Sequence, residues 1–83
     1  MKYYLRQKDG NFIRWNDKII YFNCWLDAIA FEEAMAAIPF LDYGKVEIYP
    51  SKEQLFLPID TIDHTGLIPV ANGDSVELKE WQE

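Results

Sequence analysis

A single cysteine, a single histidine and a shortage of positive charge set the first limits on this 83-residue chain. Cys24 has no second cysteine to pair with, so no disulfide within the chain closes the fold. One thiol and one imidazole, His64, are too few for the cages that hold structural zinc. No metal and no cofactor is expected. The glycines, Gly10, Gly44, Gly66 and Gly73, are spread one to a turn. None lies in a glycine-rich loop leading into a helix, the arrangement that cradles phosphate. No stretch approaches the roughly 18 consecutive apolar residues of a membrane-spanning helix. The opening residues 1–10 lack the apolar centre and small-residue cleavage site of a secretory signal. With one unpaired thiol, the expected location is the cytoplasm.

Lys and Arg number 8 against 14 Asp and Glu, a formal net charge of −6. The deficit is uneven. Lys2, Arg6, Lys8, Arg14 and Lys18 against Asp9 and Asp17 give residues 1–22 about +3, and residues 23–83 carry about −9. A field of that sign repels nucleic acid and anionic membrane and attracts a basic protein surface.

What the chain does have is apolar and aromatic substance: 49% hydrophobic and 16% aromatic, including Trp15, Trp25 and Trp81. That excludes disorder. Eighty-three residues supply one hydrophobic core, hence one domain over 1–83. At this size burial only narrowly exceeds conformational entropy, so dense aromatic packing or self-association has to make up the difference.

The order of patterns predicts an α+β fold. Asp9-Gly10 between the strand-like runs 2–8 and 11–15 is a hairpin signal. Asn16-Asp17 then breaks the pattern before Lys18–Phe22, giving a small antiparallel sheet in the form of a β-meander. Both faces of these strands are apolar. Asn23 or Asp27 caps one main helix running to Ile38, and Pro39 ends it. In the helix, Leu26, Ile29, Ala30, Ala37 and Ile38 make one apolar face, while Phe31 and Met35 form an i,i+4 pair on another side. Such a helix either lies largely buried across the sheet or docks its second face on a partner. Lys45–Tyr49 alternates as a further strand. Ser51-x-x-Gln54 has the form of a capping box, allowing one helical turn. Residues 55–59 read as an extended edge segment, 60–66 as a polar turn with His64 exposed, and 67–81 as a C-terminal β-hairpin on Asn72-Gly73.

No constellation reads as an active site. Asp60, Asp63 and His64 lack the spacing of zinc or calcium motifs. Cys24 at a helix start reads as a buried structural cysteine rather than half of a thiolate–imidazole pair with His64. Lys2, Tyr3, Tyr4, Arg6, Lys8, Arg14, Trp15 and Lys18 have the residue types of a single-strand nucleic-acid platform, but the negative field around them opposes that use. Carboxylates spaced over a surface with aromatic anchors fit the basic groove of another protein instead. The candidate partner-binding residues are Glu32, Glu33, Asp60 and Asp63, with Phe31 and Met35 as anchors.

In general character the chain resembles the short acidic accessory proteins of phages and mobile elements, including inhibitors of host defence nucleases. The likeness lies in size, charge and aromatic content over the whole chain and carries no motif, so no residue role is transferred. It implies a non-enzymatic module that occupies a basic surface of a host nucleic-acid-handling protein. The alternative is a homo-oligomeric structural or small-ligand-binding protein, a homodimer in the simplest case, whose apolar helix and second sheet face bury each other across a two-fold axis.

Overall fold

The computed structural model describes residues 1–82. Among the described residues, seven β-strands and one α-helix follow in the order β1 (Lys2–Gln7), β2 (Arg14–Trp15), β3 (Lys18–Phe22), α1 (Trp25–Ala36), β4 (Val46–Ser51), β5 (Thr61–Asp63), β6 (Leu67–Asn72) and β7 (Ser75–Glu80). Short 3₁₀ turns at Pro39–Leu41 and Pro58–Asp60 complete the chain. The fold is α+β, with one main helix on an antiparallel sheet and a C-terminal β6–β7 hairpin.

Strand order in the main sheet is β2-β3-β1-β4, with β5 also on β3. The turn at Asp9-Gly10 forms, with the Gly10 N–H donating to the Gln7 carbonyl at 2.9 Å and Gly10 at φ +92°. Beyond it, however, residues 11–13 meet β1 through a single bridge, Arg6 to Phe12. The cause is the next turn. Asn16 and Asp17 both adopt positive φ, 52° and 66°, the backbone of a two-residue hairpin that pairs Trp15 with Lys18. That tight reversal delivers β3 back to β1, where Tyr3 faces Phe22 and Tyr4 faces Tyr21. The meander order is thereby replaced by one in which β3 lies between β2 and β1.

β4 pairs with β1 along all six residues, from Lys2 opposite Ser51 to Gln7 opposite Val46. Residues 60–66 are not simply a turn, because Thr61–Asp63 adds to β3 in parallel, with Ile20 opposite Ile62. No helical turn follows Ser51; its hydroxyl instead accepts from the Glu53 N–H and donates to the Glu53 carbonyl.

The helix is apolar around most of its girth because both sides are covered. Ala28, Phe31 and Met35 face the sheet, packed with Leu5, Ile13, Ile20 and Phe22, while β6 packs against α1 elsewhere and Leu78 of β7 reaches the same core. The i,i+4 pair Phe31 and Met35 thus belongs to the core, and Leu26, expected on the buried face, is 52% exposed. Neither Asn23 nor Asp27 caps the helix. Cys24 occupies the N-cap without a side-chain cap bond and is exposed. Asn23 is used tertiarily: its N–H donates to the Thr65 hydroxyl at 2.7 Å and its amide to Asp63 at 2.8 Å.

Phe31 contacts Phe22, Trp15 and His64 at ring-centroid separations of 5.1, 5.8 and 5.9 Å. Phe31→Ala is therefore expected to cost about 3–5 kcal/mol in urea denaturation, against less than about 0.5 kcal/mol for Leu26→Ala. Equal effects would contradict this assignment of helix faces.

Candidate functional site

Some charged groups of both signs are engaged by the protein's own rings, amides and carbonyls. Of the basic residues near the N-terminus, Lys2 lies 4.4 Å from the centre of the Tyr21 ring and donates to Gln54. Arg6 lies 4.6 Å from that of Tyr49 and pairs with Glu47 at 3.8 Å. Arg14 donates to the Asp17 carbonyl at 2.8 Å. The rings beneath them form one connected, mostly edge-to-face cluster: Tyr21 to Tyr4 at 6.1 Å, Tyr4 to Phe12 at 5.7 Å, Phe12 to Tyr49 at 5.7 Å and Phe12 to Phe56 at 6.1 Å. Tyr4 is fully buried. Its burial raises the phenol above its ordinary pKa of 10.0. On this second sheet face Phe56 of the 51–60 segment packs on Phe12, and Lys2 and Arg6 lie over Tyr21 and Tyr49.

The carboxylates are placed differently. Glu33 is exposed and Glu32 half-buried on α1. Asp60 is half-buried in its 3₁₀ turn. Asp63 is exposed at the end of β5 but serves the fold, accepting from the Asn23 amide and, at 2.8 Å, from the Thr65 N–H. Phe31 and Met35 lie in the core, so neither projects outward as an anchor, although Met35 also forms part of the wall of a cavity at the end of α1. Among the described residues, Arg6–Glu47 is the one ion pair between side chains, so the helix carboxylates have no internal cation.

One cavity of about 210 Å³ opens where α1 ends, between the helix and the segment leading into β4. Met35, Ile38 and Val46 give it apolar walls, and Glu32, Asp42 and Tyr43 add two carboxylates and an aromatic ring. The segment is fixed to β1 by the Gln7 amide, which donates to the Tyr43 carbonyl at 3.0 Å. Sequence reading missed Asp42 and Tyr43, because Phe40–Gly44 reads only as a turn. The signal available was Asp42 itself, which takes φ +44°, a left-handed conformation that aspartate tolerates better than most residues.

His64, expected on the surface, is only 3% exposed. It sits edge-on to Trp15 and Phe31, and neither ring nitrogen has a hydrogen-bond partner in the protein. Burial lowers its pKa below the ordinary 6.5, with the Ile62 backbone and the Asp63 carboxylate offsetting only part of that. Cys24 and His64 differ in environment, one exposed and one enclosed, and no hydrogen bond joins them. Among the described residues no group of three or more His, Cys, Asp or Glu side chains could hold a metal ion, and no helix is long and apolar enough to cross a membrane.

Comparison with protein-family models, curated proteins and solved structures finds no match to this chain.

Because the folded state holds His64 neutral while the unfolded chain titrates near 6.5, the unfolded state takes up the extra proton as pH falls. Stability is then fully present above about pH 6.5 and declines below it. His64→Leu should flatten the pH dependence of the urea midpoint between about pH 7.5 and 5.5; an unchanged slope in that variant would assign the dependence to other groups.

Proposed function

We propose that this protein is a small, non-enzymatic interaction module whose acidic surface binds a basic surface of another protein. The observation that carries the reading is the unequal use of charge. Lys2, Arg6 and Arg14 are engaged by the protein's own rings, amides and carbonyls, whereas Glu32 and Glu33 have no cationic partner among the described residues. Intramolecular contacts thus engage three of the five N-terminal cations, while the whole chain keeps a net charge of −6. A surface of that kind accelerates encounter with a basic partner and disfavours acidic ones. A host protein that handles nucleic acid, with a phosphate-binding groove, is the partner class such a surface fits best, and occupying that groove would inhibit it.

The reading is tested by affinity capture from a host lysate at low and at about 0.15 M ionic strength, where the screening length falls to about 8 Å. A basic protein should be captured by the native chain and lost progressively with salt. Glu33→Lys should slow its association while leaving the melting temperature within a degree or two, since Glu33 is exposed on α1. Capture unaffected by both salt and charge reversal would end the electrostatic reading.

A second reading, self-association, has its own observation. Much of the helix and the second sheet face is covered within the chain, but Leu55, Phe56, Leu57 and Ile59 are successive apolar residues at the surface, with Leu57 68% and Ile59 75% exposed. If copies pair through it, light scattering at micromolar concentration should report a dimer that Leu57→Ser with Ile59→Ser converts to a monomer. A monomeric native chain would remove this reading.

A further inference from the structure

The cavity at the end of α1 has the size and chemistry to hold one particular side chain. At about 210 Å³ it is smaller than the roughly 300–1,000 Å³ of sites for drug-sized ligands. Its walls change character along their surface. Met35 and Ile38 are buried core residues that form an apolar floor, and Val46 continues it. Glu32 and Asp42 contribute two carboxylates, and Tyr43 contributes a ring. The helix adds a further negative element. Its last turn contains no basic residue, and the Ala37 cap satisfies only some of the terminal carbonyls. The C-terminal end therefore presents its share of the macrodipole, about half an elementary negative charge, without compensation from its own side chains.

We propose that this cavity receives an arginine side chain of the partner, an inference that rests on the acidic-module reading above. The methylene stem would lie along Met35, Ile38 and Val46. The guanidinium would be shared by Glu32 and Asp42 with Tyr43 beside it. A planar cation with several N–H donors suits this set better than an ammonium, because it can bond two carboxylates at once and stack on a ring. Charge complementarity selects the occupant: an apolar slot alone would take a leucine, and a slot bordered by two carboxylates and a helix C-terminus penalises one.

The test is a titration of the ¹⁵N-labelled protein with N-acetylarginine methylamide, up to about 50 mM because one side chain binds weakly. Saturable shifts should concentrate at Glu32, Ala36, Asp42, Tyr43, Gly44 and Val46. Asp42→Asn and Glu32→Gln should each weaken binding about two- to fivefold, the range for a partly exposed ion pair. Asparagine keeps the left-handed backbone accessible at position 42. Ala36→Leu, at an exposed helix position on the cavity wall, should block the probe without changing net charge, which separates loss of the slot from loss of charge. Shifts spread evenly over the acidic surface, or equal binding of N-acetyl-lysine methylamide or N-acetylnorleucine methylamide, would overturn the assignment. The two levels separate in the captured partner. If it is basic and binds Ala36→Leu as tightly as the native chain, the slot is refuted and the acidic surface stands. If the partner is not basic, the broader reading is refuted independently of the probe.

Discussion

The enclosure of Phe31 is the contact on which the rest of the molecule depends. Its ring touches Phe22 of β3, Trp15 of β2 and His64 just after β5, so the helix, the sheet and the parallel addition to that sheet converge on one side chain. With Cys24 alone, no disulfide within the chain can replace this contact. The domain is small enough that aromatic packing must supply the necessary stability. His64 shows how strict that requirement is, since an imidazole is enclosed there with no hydrogen-bond partner in the protein for either nitrogen. A polar group is accepted into the cage because its ring completes the packing.

The same principle shapes the surface. Aromatic rings on the second sheet face meet edge to face and hold Lys2 and Arg6 over Tyr21 and Tyr49, so two of the N-terminal cations are tied to the protein's own rings. Lys8, Arg14 and Lys18 stay exposed, outnumbered over the whole chain by the carboxylates.

Much of the fold was legible in the residues, and the reasons for the misses are specific. Pro39 and the strand alternation of Lys45–Tyr49 located the end of α1 and β4 within a few residues. The C-terminal hairpin was marked by Asn72-Gly73, with Gly73 at φ +64°. Strand order was not legible, because Ile19, Tyr21, Ile20 and Phe22 make both faces of β3 apolar and only the positive φ of Asn16 and Asp17 determines where it returns. Helix facing failed for a similar reason: a helix covered by a sheet on one side and a hairpin on another has no polar stripe to orient it. Thr61–Asp63 resembled a turn because its polar residues are spent on tertiary bonds to Asn23 and Gln54. Of the candidate site, the carboxylates of α1 were visible as exposed charges, but the cavity beside them is created by tertiary packing and has no sequence signature.

The attachment of the helix entrance to residues 63 and 65 has a consequence for synthesis. Cys24 gives α1 no side-chain cap, and Asn23 is anchored by Asp63 and Thr65, about forty positions further along. An isolated helix of 12 residues is marginal in water, and the cover for its second side is made only with β6 and β7. While a ribosome is still adding the middle of the chain, the helix segment consequently lacks both its anchor and its lid. Stable formation of α1 is therefore tied to the later residues that hold and cover it.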